Sequence, residues 1–166
     1  CGYYHNLAIR GDVSVAAWGD NSRGQTNVPT GLSNVVSVAG GYGHSVALKA
    51  DGTIVVWGTN DFGQLDVPSS ASGVVAIASG NYHVVALKAD GSVVAWGRND
   101  AGQCTVPSEL GGVVAVAAGD SHTVALRADG AIVAWGSNGA GQCLLPGEFT
   151  NGTAVSTVFW HHLALM

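Results

Sequence analysis

The chain has 166 residues, of which 47% are hydrophobic and only 10% are charged, and its formal net charge is −5. This composition excludes a disordered tail, and Gly, Ser, Asn and Pro interrupt every apolar stretch before the roughly 20 residues that a membrane-spanning helix needs. The six Lys and Arg residues are scattered singly, whereas nucleic-acid surfaces need clustered cations. We therefore expect no nucleic-acid partner and no membrane insertion.

A period of 39 residues organises the chain from its first strand onward. Histidine, tryptophan, asparagine and proline each recur at this interval, and so does a Gly-Gln pair. Periods of this length indicate repeat proteins, in which one unit cannot bury its apolar face alone and must stack on its neighbours. The columns are His5, His44, His83, His122 and His161; Trp18, Trp57, Trp96 and Trp135; Asn21, Asn60, Asn99 and Asn138; Gln25, Gln64, Gln103 and Gln142; and Pro29, Pro68, Pro107 and Pro146.

We predict a single repeat domain over residues 1–166. Its units are 1–34, which is partial, then 35–73, 74–112 and 113–151, and finally 152–166, which is partial and divergent.

In the second unit the first predicted strand runs from Val35 to Ala39, and Gly40-Gly41 ends it. The next strand alternates, with His44, Val46 and Leu48 on one face and Ser45, Ala47 and Lys49 on the other.

Asp51-Gly52 then predicts a tight two-residue hairpin with positive backbone torsions, and the return strand ends at Trp57. The first unit has Gly11, Asp12 and Val13 at this point, which predicts a turn that is built differently.

No segment has a helical period, so each unit is expected to form a small antiparallel sheet of three or four strands. Radial stacking of such sheets gives an all-β fold, a β-propeller built from about four 39-residue antiparallel blade repeats. A linear β-solenoid is the alternative, but its coils are shorter and lack an internal hairpin. The chain starts and stops in the second strand of a unit. We therefore expect an incomplete ring, or one completed by oligomerisation, with open edges that invite self-association.

Residues 38–48, VAGGYGHSVAL, carry a family signature: an apolar residue, two small residues, Gly-x-x-His, a small residue and alternating aliphatics. This segment resembles the regulator-of-chromosome-condensation repeats. Residues 116–126 match as well, residues 77–87 depart only at Val84, and residues 157–161 have lost the glycine and the small pair.

The resemblance implies a seven-bladed propeller that binds proteins. The short unit is most similar to bacterial members, which include secreted propeller-type β-lactamase inhibitors, so we expect an extracellular or cell-surface bacterial protein. Nucleotide exchange, the founder's activity, depends on an inserted wedge for which the constant period leaves no room.

The two positions before each repeated histidine hold most aromatic residues outside the tryptophan column. Because these positions are equivalent, their side chains should collect on one face, and collected aromatic residues form binding hot spots. The resemblance supports this, since in the β-lactamase inhibitors the same loops present aromatic residues to the enzyme. The alternative is that the rings pack against the neighbouring blade. The candidate partner-binding residues are Tyr3, Tyr4, Tyr42, Asn81, Tyr82, Asp120, Phe159 and Trp160.

The other repeated columns are predicted to be structural. The histidines have no partner column of Asp, Glu or Cys, so a metal ring or a set of general bases is disfavoured. The tryptophans should pack between blades with the indole N–H bonded to a loop carbonyl. The asparagines should shape turns. Cys1, Cys104 and Cys143 have no CxxC spacing, which signals neither a zinc site nor a disulfide framework, and Cys104 and Cys143 are expected to be free thiols. We therefore predict no catalytic residue, no metal and no cofactor.

The sequence thus favours a non-catalytic protein-binding module that acts through aromatic loops on one face. Inhibition of a secreted enzyme is one form of this function. Two alternatives stay open: a structural or adhesive segment of a larger surface protein, whose partner is another copy, and a carbohydrate-binding module, because aromatic rings also stack on sugars.

Overall fold

A computed structural model describes residues 1–145, 152–158 and 161–165. These residues form thirteen short β-strands, and none of them lies in a helix long and apolar enough to span a bilayer. The strands are β1 His5–Ile9, β2 Val15–Gly19, β3 Val35–Gly40, β4 His44–Lys49, β5 Ile54–Gly58, β6 Val74–Ser79, β7 His83–Lys88, β8 Val93–Gly97, β9 Val113–Ala118, β10 His122–Arg127, β11 Ile132–Gly136, β12 Ala154–Val158 and β13 His161–Leu165.

The strands form five antiparallel sheets in chain order. Three sheets have three strands, β3-β4-β5, β6-β7-β8 and β9-β10-β11, while β1-β2 and β12-β13 are two-stranded. In each three-stranded sheet the middle strand pairs with both neighbours. The first strands of consecutive sheets contact one another, β3 with β6, β6 with β9 and β9 with β12. This is the blade arrangement of a β-propeller, and it confirms the all-β fold that the period predicts.

The apolar core is divided into four clusters, one between each pair of consecutive sheets. Between the first two sheets, for example, Val15 packs with Val35, Ala47 and Trp57. The predicted alternation in β4 is present, but residues 44–48 are buried on both faces because a sheet packs on each side. Stability therefore resides in the contacts between units more than in any one sheet.

The tryptophan column joins consecutive units through a backbone carbonyl. The indole Nε1 of Trp57 donates to the carbonyl oxygen of Gln25 at 2.9 Å, in the unit before it. Trp96 and Trp135 repeat the bond to the carbonyls of Gln64 and Gln103, each at 3.0 Å. The sequence-based prediction of an indole–carbonyl bond is confirmed at these three positions.

At Trp18 that prediction is wrong. This side chain is 53% exposed, whereas Trp57 is 6% exposed. Each of the three observed bonds reaches back to the preceding unit.

The hairpins also differ in detail from the sequence prediction. Gly52 has φ 78° and its N–H donates to the Lys49 carbonyl, while Asp51 is not in the positive-φ region. The loop is therefore a three-residue one, with a glycine in the left-handed position. The first unit makes the same turn, with Val13 at φ 57° and its N–H bonded to the Arg10 carbonyl at 2.9 Å. The expectation of a different turn there is wrong, and Val13 occupies a conformation that is strained for a β-branched residue.

We expect substitution of the buried and the exposed tryptophan to have unequal effects. Trp57→Phe removes a buried hydrogen bond and core contacts, and should lower the free energy of unfolding by about 2 kcal/mol. Trp18→Phe should change it by less than about 0.5 kcal/mol, as is usual at exposed sites. Urea unfolding followed by fluorescence and circular dichroism measures both, and equal losses would contradict the one-directional stacking described above.

Candidate protein-interaction surface

The repeated histidines are buried within the interfaces between units. His5, His44, His83 and His122 are at most 1% exposed. The His5 Nε2 atom lies 2.8 Å from the Ser45 hydroxyl, and that hydroxyl donates to the Gln25 carbonyl at 2.7 Å. Because the hydroxyl proton is committed to the carbonyl, Nε2 must carry the ring proton. His83 and Thr123 repeat the arrangement at 3.1 Å, and Thr123 donates to the Gln103 carbonyl.

The glycine three residues before His5, His44 and His83 makes room for the ring. A Cβ atom on Gly41 would lie 2.1 Å from Cε1 of His44, and one on Gly2 would lie 2.1 Å from Cε1 of His5. No side chain fits at that distance, so the Gly-x-x-His spacing follows from packing of the imidazole on the backbone. These histidines shape the turn before them, which is the turn that carries the aromatic residues.

In the third unit a different hydroxyl group bonds to the histidine of the preceding unit. Val84 stands where Ser45 and Thr123 stand in their units, so it cannot bond to His44. The His44 Nε2 atom instead lies 2.8 Å from the hydroxyl of Ser79, which is on the first strand of the same unit as Val84. The donor therefore stays satisfied although the family signature is broken at Val84.

Burial keeps the His44 and His83 rings neutral. It lowers the pKa of His44 to about 4, with a smaller contribution from His5, and the pKa of His83 to about 3, with contributions from His44 and His122. No group of three or more His, Cys, Asp or Glu side chains in the described part of the chain could hold a metal ion. The arrangement supports a structural role for the histidine column.

Four of the predicted partner-binding tyrosines lie in one row. Tyr3 contacts Tyr4 with ring centroids 4.5 Å apart and Tyr42 at 5.2 Å. The row continues from Tyr42 to Tyr82 at 5.3 Å and from Tyr82 to Phe62 at 5.1 Å. We call these five rings the aromatic surface. Tyr4 is 56% exposed, Phe62 43% and Tyr3 41%, while Tyr42 and Tyr82 are half-buried between their neighbours.

Backbone hydrogen bonds hold the two loops of each unit together at this end of the blade. The residue after each Trp-Gly pair donates to a carbonyl in the turn before the histidine, as Thr59 does to Gly43 at 2.8 Å and Arg98 to Tyr82 at 2.9 Å. The loop that follows the tryptophan and the aromatic turn therefore share one face. This is how Phe62 comes to join the tyrosines.

Two arginines lie over the rings. The guanidinium carbon of Arg23 is 5.7 Å from the centre of Tyr42, and that of Arg98 is 5.1 Å from Phe62 and 5.8 Å from Tyr82. Both are held in place by carboxylates: Arg23 pairs with Asp61 at 2.8 Å and Arg98 with Asp100 at 2.6 Å. Burial, followed by the neighbouring Tyr42, raises the pKa of Tyr82, so its hydroxyl stays protonated at neutral pH.

The other predicted site residues fall in two groups. The Asn81 amide donates to the Asp120 carboxylate beside the tyrosine row, and both side chains are half-buried. Phe159 and Trp160 lie outside the described residues. Sequence analysis missed Phe62, Arg23 and Arg98. Arg23 and Phe62 occupy the same repeat position two residues after the turn asparagine, where later units have Ala101 and Ala140, so the varying column was visible.

The remaining columns are structural, as predicted. The Asn60 side-chain carbonyl accepts from the Leu65 N–H at 2.8 Å, and the Gln64 side chain accepts from the Phe62 N–H at 2.8 Å. The three cysteines are free, with Cys104 and Cys143 partly buried.

Comparison with known proteins gives one family match. The model of the Regulator of chromosome condensation (RCC1) repeat matches residues 1–25, 35–64, 74–103 and 113–142, which together make up more than half of the chain. No curated protein matches the chain.

Solved structures with the same fold include Prp20p from Saccharomyces cerevisiae, which is 22% identical with a TM-score of 0.81 over 98% of this chain and 53% of that one. The ectodomain of the Physcomitrella patens receptor kinase CR4 is 19% identical, with a TM-score of 0.82 over 98% and 47% of the two chains. Human WBSCR16 is 21% identical, with a TM-score of 0.77 over 99% and 56%. The chain thus spans about half the length of these structures.

Loss of the substitute hydroxyl should destabilise the protein. Ser79→Ala leaves the His44 donor buried without a partner and should cost about 1–2 kcal/mol of unfolding free energy. Adding Val84→Thr to the same chain should recover most of this, because a hydroxyl at position 84 takes the place that Thr123 occupies. Ser33→Ala, at an exposed connector position, serves as the control in thermal and urea unfolding. A Ser79→Ala chain as stable as the parent would contradict the assignment.

Stability should fall as the pH is lowered from about 6.5 towards 4. Histidines in the unfolded chain have a pKa near 6.5. In the folded state, burial lowers the pKa of His44 to about 4 and that of His83 to about 3. Below pH 6.5 the unfolded chain binds more protons than the folded chain. Each of these two histidines therefore lowers the free energy of unfolding by up to about 1.4 kcal/mol per pH unit. Urea unfolding between pH 7.5 and 5.5 measures this, above the range in which unfolded aspartates, with a pKa near 3.9, take up protons. A His44→Gln chain should show a shallower decline, and an equal slope would refute the explanation.

Proposed function

Because the chain belongs to the regulator of chromosome condensation (RCC1) repeat family, we propose that it is a non-catalytic module that binds a protein partner through the aromatic surface. One observation carries the proposal. Five rings from three consecutive units meet in a continuous row at one end of the blades, and three of them are more than 40% exposed.

The chemistry of the surface suits a protein interface. Tyrosine and arginine are the residue types that supply most binding energy at interfaces, because they combine apolar area with hydrogen-bonding groups. Here the arginines already lie on the rings and are paired with aspartates, so little side-chain freedom is left to lose on binding.

Relatives of the same fold bind proteins. The crystal structure of yeast Prp20p is reported together with its binding to Gsp1p and histones. A second structure contains Kap60 bound to yeast Prp20. The identity of a partner does not follow from the fold, because the varied loop residues decide it. We propose that the partner of this chain is a secreted or surface protein. Inhibition of an enzyme is one form that the interaction would take.

The partner should be lost when the aromatic surface is removed. The chain is used to capture proteins from the secreted and surface fractions of its source, beside a variant with Tyr3, Tyr4, Tyr42 and Tyr82 changed to Ala. Each hot-spot residue contributes about 2 kcal/mol or more, so affinity for the captured protein should fall at least about 100-fold.

The control variant changes Arg10, Lys49, Lys88 and Arg127 to Ala at the hairpin end of the blades and should bind like the parent. Thermal melting checks that all three chains are folded. Capture that survives the tyrosine substitutions, a glycan as the only ligand, or capture of nothing but the chain itself would each refute the proposal.

A further inference from the structure

A buried amide in the second unit lacks the hydrogen bond that its counterpart in the first unit makes. The Gln64 side chain is fully buried, and its Oε1 atom accepts from the Phe62 N–H, which fixes Nε2 as the donor. Within the described part of the chain this Nε2 atom has no hydrogen-bond partner. In the first unit the equivalent Gln25 Nε2 donates to the Asp20 carboxylate at 2.7 Å. A carboxylate in reach of Gln64 would satisfy its amide in the same way.

Asp61 is placed to supply that carboxylate. It lies three residues before Gln64, and Asp100 holds the same position before Gln103 in the next unit. There the Arg98 guanidinium, and to a smaller extent a hydrogen bond from the Gln103 amide, lowers the pKa of Asp100. A carboxylate at this repeat position can therefore reach the glutamine amide of its own unit.

An arginine of the preceding unit binds Asp61 instead. The Arg23 Nη1 atom donates to the Asp61 carboxylate at 2.8 Å, and the two side chains are 42% and 54% exposed. Ion pairs between exposed groups contribute little to stability, whereas a buried donor without a partner is costly. Transfer of Asp61 from Arg23 to the Gln64 amide would therefore cost the protein little free energy.

The guanidinium of Arg23 also has an edge to which no described residue bonds. Its contacts involve Nη1, which bonds to Asp61 and lies 3.5 Å from the Thr59 hydroxyl. Arg98 uses the other edge to bind Asp100, with Nε at 2.9 Å and Nη2 at 2.6 Å from carboxylate oxygens. Two parallel N–H donors on that edge match the geometry of a planar carboxylate. The Nε–Nη2 edge of Arg23 can therefore take a carboxylate from outside the chain.

We propose that Arg23 is a binding site for a carboxylate of the protein partner, an Asp or Glu side chain, and that Asp61 moves to the Gln64 amide as this carboxylate arrives. Arg23 stays over the Tyr42 ring, and the incoming group takes its Nε–Nη2 edge. Transfer of Asp61 takes a competing negative charge off the guanidinium. The source of the carboxylate rests on the proposed function, while the exchange of Asp61 does not.

A thermodynamic cycle tests the exchange without a partner. Arg23→Ala releases Asp61 to Gln64, and this repeat position accommodates alanine, since Ala101 and Ala140 occupy it in later units. Adding Asp61→Ala to that chain should lower the melting temperature by about 4 °C or more, because a charge-assisted bond to a buried donor is lost. In the parent, the same substitution removes an exposed ion pair and should lower the melting temperature by less than about 2 °C.

Side-chain NMR signals report the same exchange directly. In the ¹⁵N-labelled Arg23→Ala chain the Gln64 amide protons should shift downfield relative to the parent, because they then donate to the Asp61 carboxylate. The Gln103 amide, which already bonds to Asp100, is the internal control and should not move.

A glutamate model compound tests the binding site. Nα-acetyl-glutamate N-methylamide is titrated into the labelled parent chain at constant ionic strength, with its glutamine counterpart in parallel. The glutamate compound should shift the Nε–H signal of Arg23 and the amide protons of Gln64 together, because binding and exchange are coupled. The Nε–H signal of Arg98 should stay in place, since Asp100 occupies that edge. The glutamine compound should move none of these signals.

The captured partner supplies the third test. Arg23→Ala should weaken its binding about tenfold or more, as expected for an arginine at the centre of an interface. Arg127→Ala is the matched control and should bind like the parent. Arg127 forms an ion pair with Asp129 at the hairpin end of the blades, and these two side chains are as exposed as those of Arg23 and Asp61.

Three results would overturn the inference. In the first, Asp61→Ala leaves the melting temperature of the Arg23→Ala chain unchanged. In the second, the glutamate compound leaves the Arg23 signal in place or shifts the Arg98 signal equally. In the third, a partner that is lost with the tyrosines binds equally to the Arg23→Ala chain, and this removes only the carboxylate proposal. Coupled shifts at Arg23 and Gln64, together with a partner that survives the tyrosine substitutions, remove only the aromatic-surface proposal.

Discussion

The carbonyl oxygen of Gln25 is the point on which the stacking of the first two units depends. It accepts the indole N–H of Trp57 and the hydroxyl of Ser45, both from the following unit, and that hydroxyl in turn accepts from the buried His5 ring. Three side chains and one carbonyl thereby set the distance and angle between two sheets. The histidine ring then requires Gly2 beneath it. From this constraint follow the tight turn and the position of the side chains at its tip.

Much of the fold could be predicted because the period places each column in the same environment. The strands, the hairpins and the indole–carbonyl bond all follow from side-chain alternation and turn chemistry that recur unit after unit. One miss is common to the units, since the hairpin loops have three residues where two were predicted. The other misses occur where one unit's environment differs. Trp18 is exposed, whereas the other three tryptophans each bond to a carbonyl of the preceding unit. Spacing alone does not reveal the direction of that bond. Val13 makes the common turn despite its strain, because the flanking strands impose it.

The candidate surface could be predicted only in part. Tyrosines that recur just before the repeated histidines predicted a shared face, and in the structure these tyrosines contact one another. Phe62 and Arg98 come from the loop after the tryptophan, and their approach to Tyr82 depends on a backbone bond between two loops that are separate in sequence. Such tertiary pairing has no local signal.

The row of rings crosses the boundaries between units, and this links the shape of the aromatic surface to the interior of the protein. Tyr42 and Tyr82 belong to different blades, so their 5.3 Å separation is set by the rotation of one blade against the next. That rotation is set by hydrogen bonds inside the interfaces between units. The His44 ring bonds to Ser79 in one interface, and the His5 ring bonds to Ser45 in another. A conservative change in a buried hydroxyl can therefore alter the spacing of the exposed rings without touching any exposed atom. Under the proposed function, substitutions in the core as well as in the loops would change which partner is bound.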